Sequence, residues 1–177
     1  MVNLATGRHE RLTVRARAFS LRGKLLREWS AVTDIDDDQT LSPRSIDLPA
    51  TEACLLRLSI ETAGAVVSEN TYVESASPEG WKALAHLQQA TLKQQGSFAV
   101  AGDEQVCRLT LTNTSATPAL MVRLNLKGAD GEQILPVVYS DNYFHLLPGE
   151  QKTVEVSFRT EDGRGVTPHI AVEGFNL

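Results

Sequence analysis

Apolar and polar residues alternate with a period of two along most of this chain, a pattern that predicts half-buried β-strands. From Arg11 to Ala18, the residues Leu12, Val14, Ala16 and Ala18 share one face, and Arg11, Thr13, Arg15 and Arg17 share the other. The phase slips at Phe19 and Leu21, which predicts a bulge or a strand end. Cys54, Leu56, Leu58 and Ile60 form a second inward row against Arg57, Ser59 and Glu61. Ala65–Val73 follows as a partner strand after a turn at Gly64.

The period then changes. Ser77-Pro78-Glu79 reads as a helix start, because a serine hydroxyl can cap free backbone N–H groups and proline suits the first helical position. Trp81, Leu84, Ala85, Leu87 and Gln88 follow at helical spacing, so a short amphipathic helix is expected over 78–90. Alternation resumes after Gly96. Cys107, Leu109 and Leu111 form one row, Leu120, Val122, Leu124 and Leu126 the next, and Val154, Val156 and Phe158 another. Pro136 inside Ile134–Tyr139 argues for an edge or a bulge, since proline cannot donate to a ladder. Pro148-Gly149 fits the centre of a type II turn, and a last strand is expected over Pro168–Glu173.

Short strands about ten residues apart, with turn residues between them, describe β-sandwiches. The expected fold is all-β: two tandem immunoglobulin-like β-sandwiches over 1–75 and 93–177, joined by a short helical linker over 76–92.

Composition narrows the functional classes. Formal charge is −5, with 10 basic and 12 acidic residues before position 91, so neither half offers the basic face that nucleic-acid binding needs. No apolar run approaches the roughly 18 residues of a membrane helix, and no signal peptide is read in MVNLATGRHERLTV. Cys54 and Cys107 each sit in an alternating apolar run, where a small buried hydrophobe is favoured over a disulfide.

The chemistry-bearing patterns mostly fail on inspection. Asp34-Ile35-Asp36-Asp37-Asp38 resembles the start of a calcium loop, yet the sixth position is Gln39 instead of glycine and the twelfth is Ser45 instead of glutamate. Ser140-Asp141-Asn142 lacks the companion motifs of penicillin-recognising enzymes. His9, His86, His145 and His169 share no metal-ligand spacing. Aromatic residues are scattered; Tyr139 and Tyr143 are the pair that could line a groove, with packing the favoured reading. No acidic residue stands in a setting that suggests a raised pKa. No catalytic, cofactor-binding or metal-binding residue is therefore assigned, and no cofactor is expected.

One segment is more specific. Ile134-Leu135-Pro136-Val137-Val138-Tyr139-Ser140-Asp141-Asn142-Tyr143-Phe144-His145-Leu146-Leu147-Pro148-Gly149-Glu150 resembles the signature of the last immunoglobulin-like domain in glycoside hydrolase family 2 enzymes. The similarity is to the β-mannosidase and exo-β-D-glucosaminidase branches. The lead-in from Leu109 to Ser115 and from Ala119 to Leu126 agrees, and Glu69-Asn70-Thr71-Tyr72-Val73 resembles the strand that ends the preceding domain. The motif residues themselves read as structural: Pro148-Gly149 as the turn, Asp141 and Asn142 as partners for backbone groups, and Tyr143, Phe144 and Leu146 as core.

The resemblance implies a larger parent whose (β/α)₈ barrel carries two catalytic glutamates in a retaining mechanism. A barrel takes about 250 residues, so this chain would be a non-catalytic accessory pair. It would brace the barrel, its implied partner, with carbohydrate as a possible ligand and export to the periplasm or medium as the expected location. A free-standing carbohydrate-binding or adhesion module is the alternative.

Overall fold

The computed structural model describes residues 1–4, 6–48 and 52–177. The chain is all-β with an immunoglobulin-like sandwich fold, divided into two compact units, Met1–Leu87 and Gln88–Leu177.

The first unit is built on a four-stranded antiparallel sheet of order β3-β2-β5-β6, formed by β2 (His9–Ser20), β3 (Leu25–Ile35), β5 (Cys54–Thr62) and β6 (Ala65–Glu74). A small ribbon pairs β1 (Val2–Asn3) with β4 (Gln39–Thr40). The predicted phase slip is a register shift between Ala18 and Phe19. Ala16, Ala18 and Cys54 are buried as expected, but Leu56, Leu58 and Ile60 are only half-buried, while Leu55 and Ser59 on the opposite face are buried. Leu58 and Ile60 line an open cleft on their own face, and Ser59 is covered by a polar lattice on the other. Arg15 bonds Glu61 at 3.1 Å and Glu28 at 2.7 Å, and the Ser59 hydroxyl donates to Glu61 beneath them.

The helix predicted over 78–90 is a 3-10 helix over Pro78–His86, and it lies within the first unit. Ser77 caps it through the Gly80 amide as expected. It stops early at Leu87, whose backbone is extended and whose amide closes the last turn on the Leu84 carbonyl. Trp81 stands 42% exposed.

The second unit is a sandwich. One sheet runs β11-β13-β9-β7, with β8 also on β9; its strands are β7 (Leu92–Gln95), β8 (Phe98–Ala101), β9 (Glu104–Asn113), β11 (Val138–Tyr139) and β13 (Gln151–Arg159). The other runs β12-β10-β14, from β10 (Ala119–Gly128), β12 (Phe144–Leu146) and β14 (Pro168–Glu173). The three inward rows read from the sequence fill the space between the sheets: Val154 lies opposite Leu109 and Val156 opposite Cys107, clustered with Val122 and Leu124 of the second sheet, while Leu126 and Phe158 pack with Ile134 in a second cluster. Proline at position 136 follows a cis peptide bond, and only Val138–Tyr139 pairs beyond it, on the sheet edge. The two cysteines are free and buried.

Candidate functional site

Of the chemistry-bearing patterns in the sequence, the segment from Ile134 to Glu150 is the one the structure turns into a defined site. It lies along β10, whose ladder to β12 is broken: Ala119 pairs with Leu146 and Val122 with Phe144, so β10 carries an extra residue between the two pairs. Side chains take over where main-chain partners run out. The His145 Nδ1 accepts from the Met121 amide at 3.1 Å, the Asn142 Oδ1 from the Leu124 amide at 2.8 Å, and the Tyr139 hydroxyl from the Leu126 amide at 2.9 Å. Asn142 also donates to the Leu124 carbonyl at 3.0 Å, so one amide side chain imitates a paired strand residue.

Asp141 accepts from the Asn142 amide and pairs with Lys152 at 2.5 Å, whose ammonium lies 5.1 Å from the Phe144 ring centroid. The turn at Pro148-Gly149 forms as predicted. Gly149 has φ +77°, the Glu150 amide donates to the Leu147 carbonyl, and the Glu150 carboxylate accepts from the Leu147 amide. Burial pushes the Tyr139 phenol up from its ordinary pKa, although its hydroxyl takes the Leu126 hydrogen bond.

Phe144 and Leu146 enter the core, but Tyr143 does not. It is 63% exposed and has a left-handed backbone, φ +60°. The expectation that it packs inside is overturned by Asn142, which is held against Leu124 and accepts from the Tyr143 amide, fixing a turn that sends the ring outward. Met121 on the bulge of β10 is likewise left-handed, φ +52°, and 56% exposed. Alternation with Leu120 and Val122 inward already places Met121 outward; what it could not find is the left-handed backbone, because the bulge exists only once β12 is in place.

The remaining patterns stay apart. The acidic run forms the end of β3 and a turn, where Arg8 pairs with Asp34 and Asp36 and the Arg11 amide donates to Asp34. Among the described residues, no group of three or more histidine, cysteine or acidic side chains is arranged to hold a metal ion. No helix is long and apolar enough to cross a membrane.

A cleft of about 520 Å³ in the first unit is lined by Val14, Trp29, Ile46, Leu58 and Tyr72, among others. A second of about 660 Å³ in the other unit lies beside Phe98, Cys107 and His169. Neither has a carboxylate in its lining, so neither holds the paired carboxyl groups of a glycoside-cleaving centre.

Residues 70–177 match the family model for the exo-β-D-glucosaminidase Ig-fold domain. The chain is 34% identical over 137 residues to an exo-β-D-glucosaminidase of Streptomyces avermitilis, covering 66% of this chain and 15% of that protein. It is 52% identical over 44 residues to a mannosylglycoprotein endo-β-mannosidase of Lilium longiflorum, covering 25% of this chain and 4% of the relative. Among solved structures, it is similar to the exo-chitosanase CsxA of Amycolatopsis orientalis at a TM-score of 0.82 and 21% identity, covering 99% of this chain and 24% of that one. The chain thus spans a minor part of the length of these relatives.

Proposed function

The chain belongs to the exo-β-D-glucosaminidase Ig-fold domain family, and from that membership we propose that it is the non-catalytic accessory region of a longer retaining exo-glycosidase. The substrates are β-glucosaminides or β-mannosides, and the accessory units brace the catalytic barrel. The observation that carries this reading is the pairing of a family match over residues 70–177 with coverage of only 15% of the Streptomyces relative. Two clefts without carboxylates in their lining support it, since cleavage of a glycosidic bond ordinarily draws on a pair of carboxyl groups. So does a motif whose polar side chains are occupied in holding β10.

The test joins a size to an activity. An antibody raised against this chain is used to detect and capture the native protein from its source, and the captured material is assayed on p-nitrophenyl β-D-glucosaminide and β-D-mannoside. A band several times heavier than 19.3 kDa, with turnover that the 177-residue chain alone lacks, is the expected result. A native band at 19.3 kDa, or a heavy band without glycosidase activity, overturns the proposal. Saturable binding of soluble chitosan or mannan by a native 19.3 kDa protein would put a free-standing carbohydrate module in its place.

A further inference from the structure

The two outward faces of the second unit differ in kind. On the five-stranded sheet the outward row is Arg108, Thr110 and Thr112 on β9 against Gln151, Thr153 and Glu155 on β13, tied by a Thr110–Thr153 bond of 2.9 Å and the Arg108–Glu155 pair. Most of that face is polar, with Val138, opposite Ser157 on the edge strand, as its large exposed apolar side chain. On the three-stranded sheet, Arg123 lies opposite Glu173, their side chains 3.7 Å apart. The register that pairs Val122 with Phe144 carries Tyr143 alongside Arg123. His145 and Met121 come next, joined through the Met121 amide, and Phe175 reaches the same strand by donating its amide to the Leu120 carbonyl. Met121, Tyr143 and Phe175 are 56%, 63% and 55% exposed. Glu173 is also 3.6 Å from Lys127, and methionine, aromatic residues and an arginine beside these ion pairs are residue types enriched where proteins meet.

Two further observations separate this patch from an incidental cluster. Met121 and Tyr143 both occupy the left-handed backbone region, which is costly for bulky side chains and is retained where the surrounding structure enforces it. Here the enforcing bonds come from His145 and Asn142, so the side chains are presented on a rigid frame that loses little freedom on contact. The relatives also supply a candidate occupant, because 76–85% of their length lies outside the aligned region.

We propose that the outward face of β12-β10-β14, centred on Tyr143, Met121 and Phe175, is the surface through which this unit docks on the catalytic domain of the longer glycosidase. The proposal rests on the reading given under the previous heading and names the contact surface for it. The face is covered in the full-length protein and bare in the 177-residue chain.

Hydroxyl-radical footprinting of both proteins tests this, with glycosidase activity measured on the same full-length sample. Met121, Tyr143 and Phe175 are expected to be oxidised several-fold more slowly in the full-length protein, while exposed Val100 on β8 keeps its rate. Tyr143→Lys gives an independent reading: it should leave the melting temperature of the 177-residue chain unchanged and lower that of the full-length enzyme. An active full-length enzyme with all three residues oxidised at the isolated chain's rate overturns the docking face alone. A native protein of 19.3 kDa, or a longer one without glycosidase activity, overturns the docking face together with the reading beneath it. Protection that appears only on self-association of the short chain assigns the face to a second copy and overturns the proposal.

Discussion

Asn142 shows how one side chain settles both stability and presentation. It satisfies the amide and carbonyl of Leu124 and caps Tyr143. Asn142→Ala leaves those groups facing a gap, and the cost of unmet hydrogen bonds predicts a loss of about 1–3 kcal/mol, read as a lower urea midpoint at unchanged m-value. An unchanged midpoint would show that water replaces the amide without penalty. Tyr143 makes the opposite prediction. Its ring is exposed while its backbone is left-handed, so Tyr143→Gly relieves strain and should stabilise the isolated chain by about 1 kcal/mol. A lower midpoint for that variant would mean that the ring packs on the unit and that the backbone strain is minor.

At the scale of elements, strands were legible wherever one face is fully buried. β9, β10 and β13 each follow the alternation read from the sequence, and β14 has the predicted bounds Pro168–Glu173. The 3-10 form of Pro78–His86 was not legible, because helical spacing over nine residues does not distinguish i+3 from i+4 bonding. The outward turn of Tyr143 was hidden because it depends on where Asn142 meets β10. The polar lattice of the first sheet was visible only as alternating arginines; its pairing came with the register. That lattice carries a pH prediction. Hydrogen bonds from Arg15 hold the Glu28 and Glu61 carboxyls below their ordinary pKa, with Arg17 adding to Glu28 and Ser59 to Glu61. The folded state therefore binds these protons more weakly than the unfolded chain, so the contribution is present above the ordinary glutamate value of about 4.3 and is lost as pH falls through the lowered values. Urea unfolding of the first unit should weaken with acid in that range, and Arg15→Gln should flatten the dependence. An equally steep acid limb in the variant would sink this account.

Across the whole chain, the two units have cores of different quality. In the second unit, Leu111, Val122, Val154 and Val156 are fully buried between two sheets. In the first, Val14, Trp29, Leu58 and Ile60 on the apolar sheet face are only half-buried, and Tyr72 beside them is 45% exposed. Less apolar area withdrawn from water means less stabilisation at roughly 25 cal/mol per Å², so the first unit should open at lower urea than the second. The chain carries its own reporters. Both tryptophans, Trp29 and Trp81, lie in the first unit, and each unit holds one cysteine, Cys54 or Cys107. Burial pushes both thiols up from their ordinary pKa, Cys54 with a further push from Glu74, so neither reacts as a thiolate until its unit opens. Labelling with a thiol reagent along a urea series, followed by mass spectrometry, should show Cys54 reacting together with the change in tryptophan fluorescence. Cys107 should stay protected to higher urea, where the second unit loses its β-sheet signal. One shared midpoint for all three probes would show instead that the units unfold as a single cooperative block, and earlier labelling of Cys107 would reverse the order of stability argued from burial.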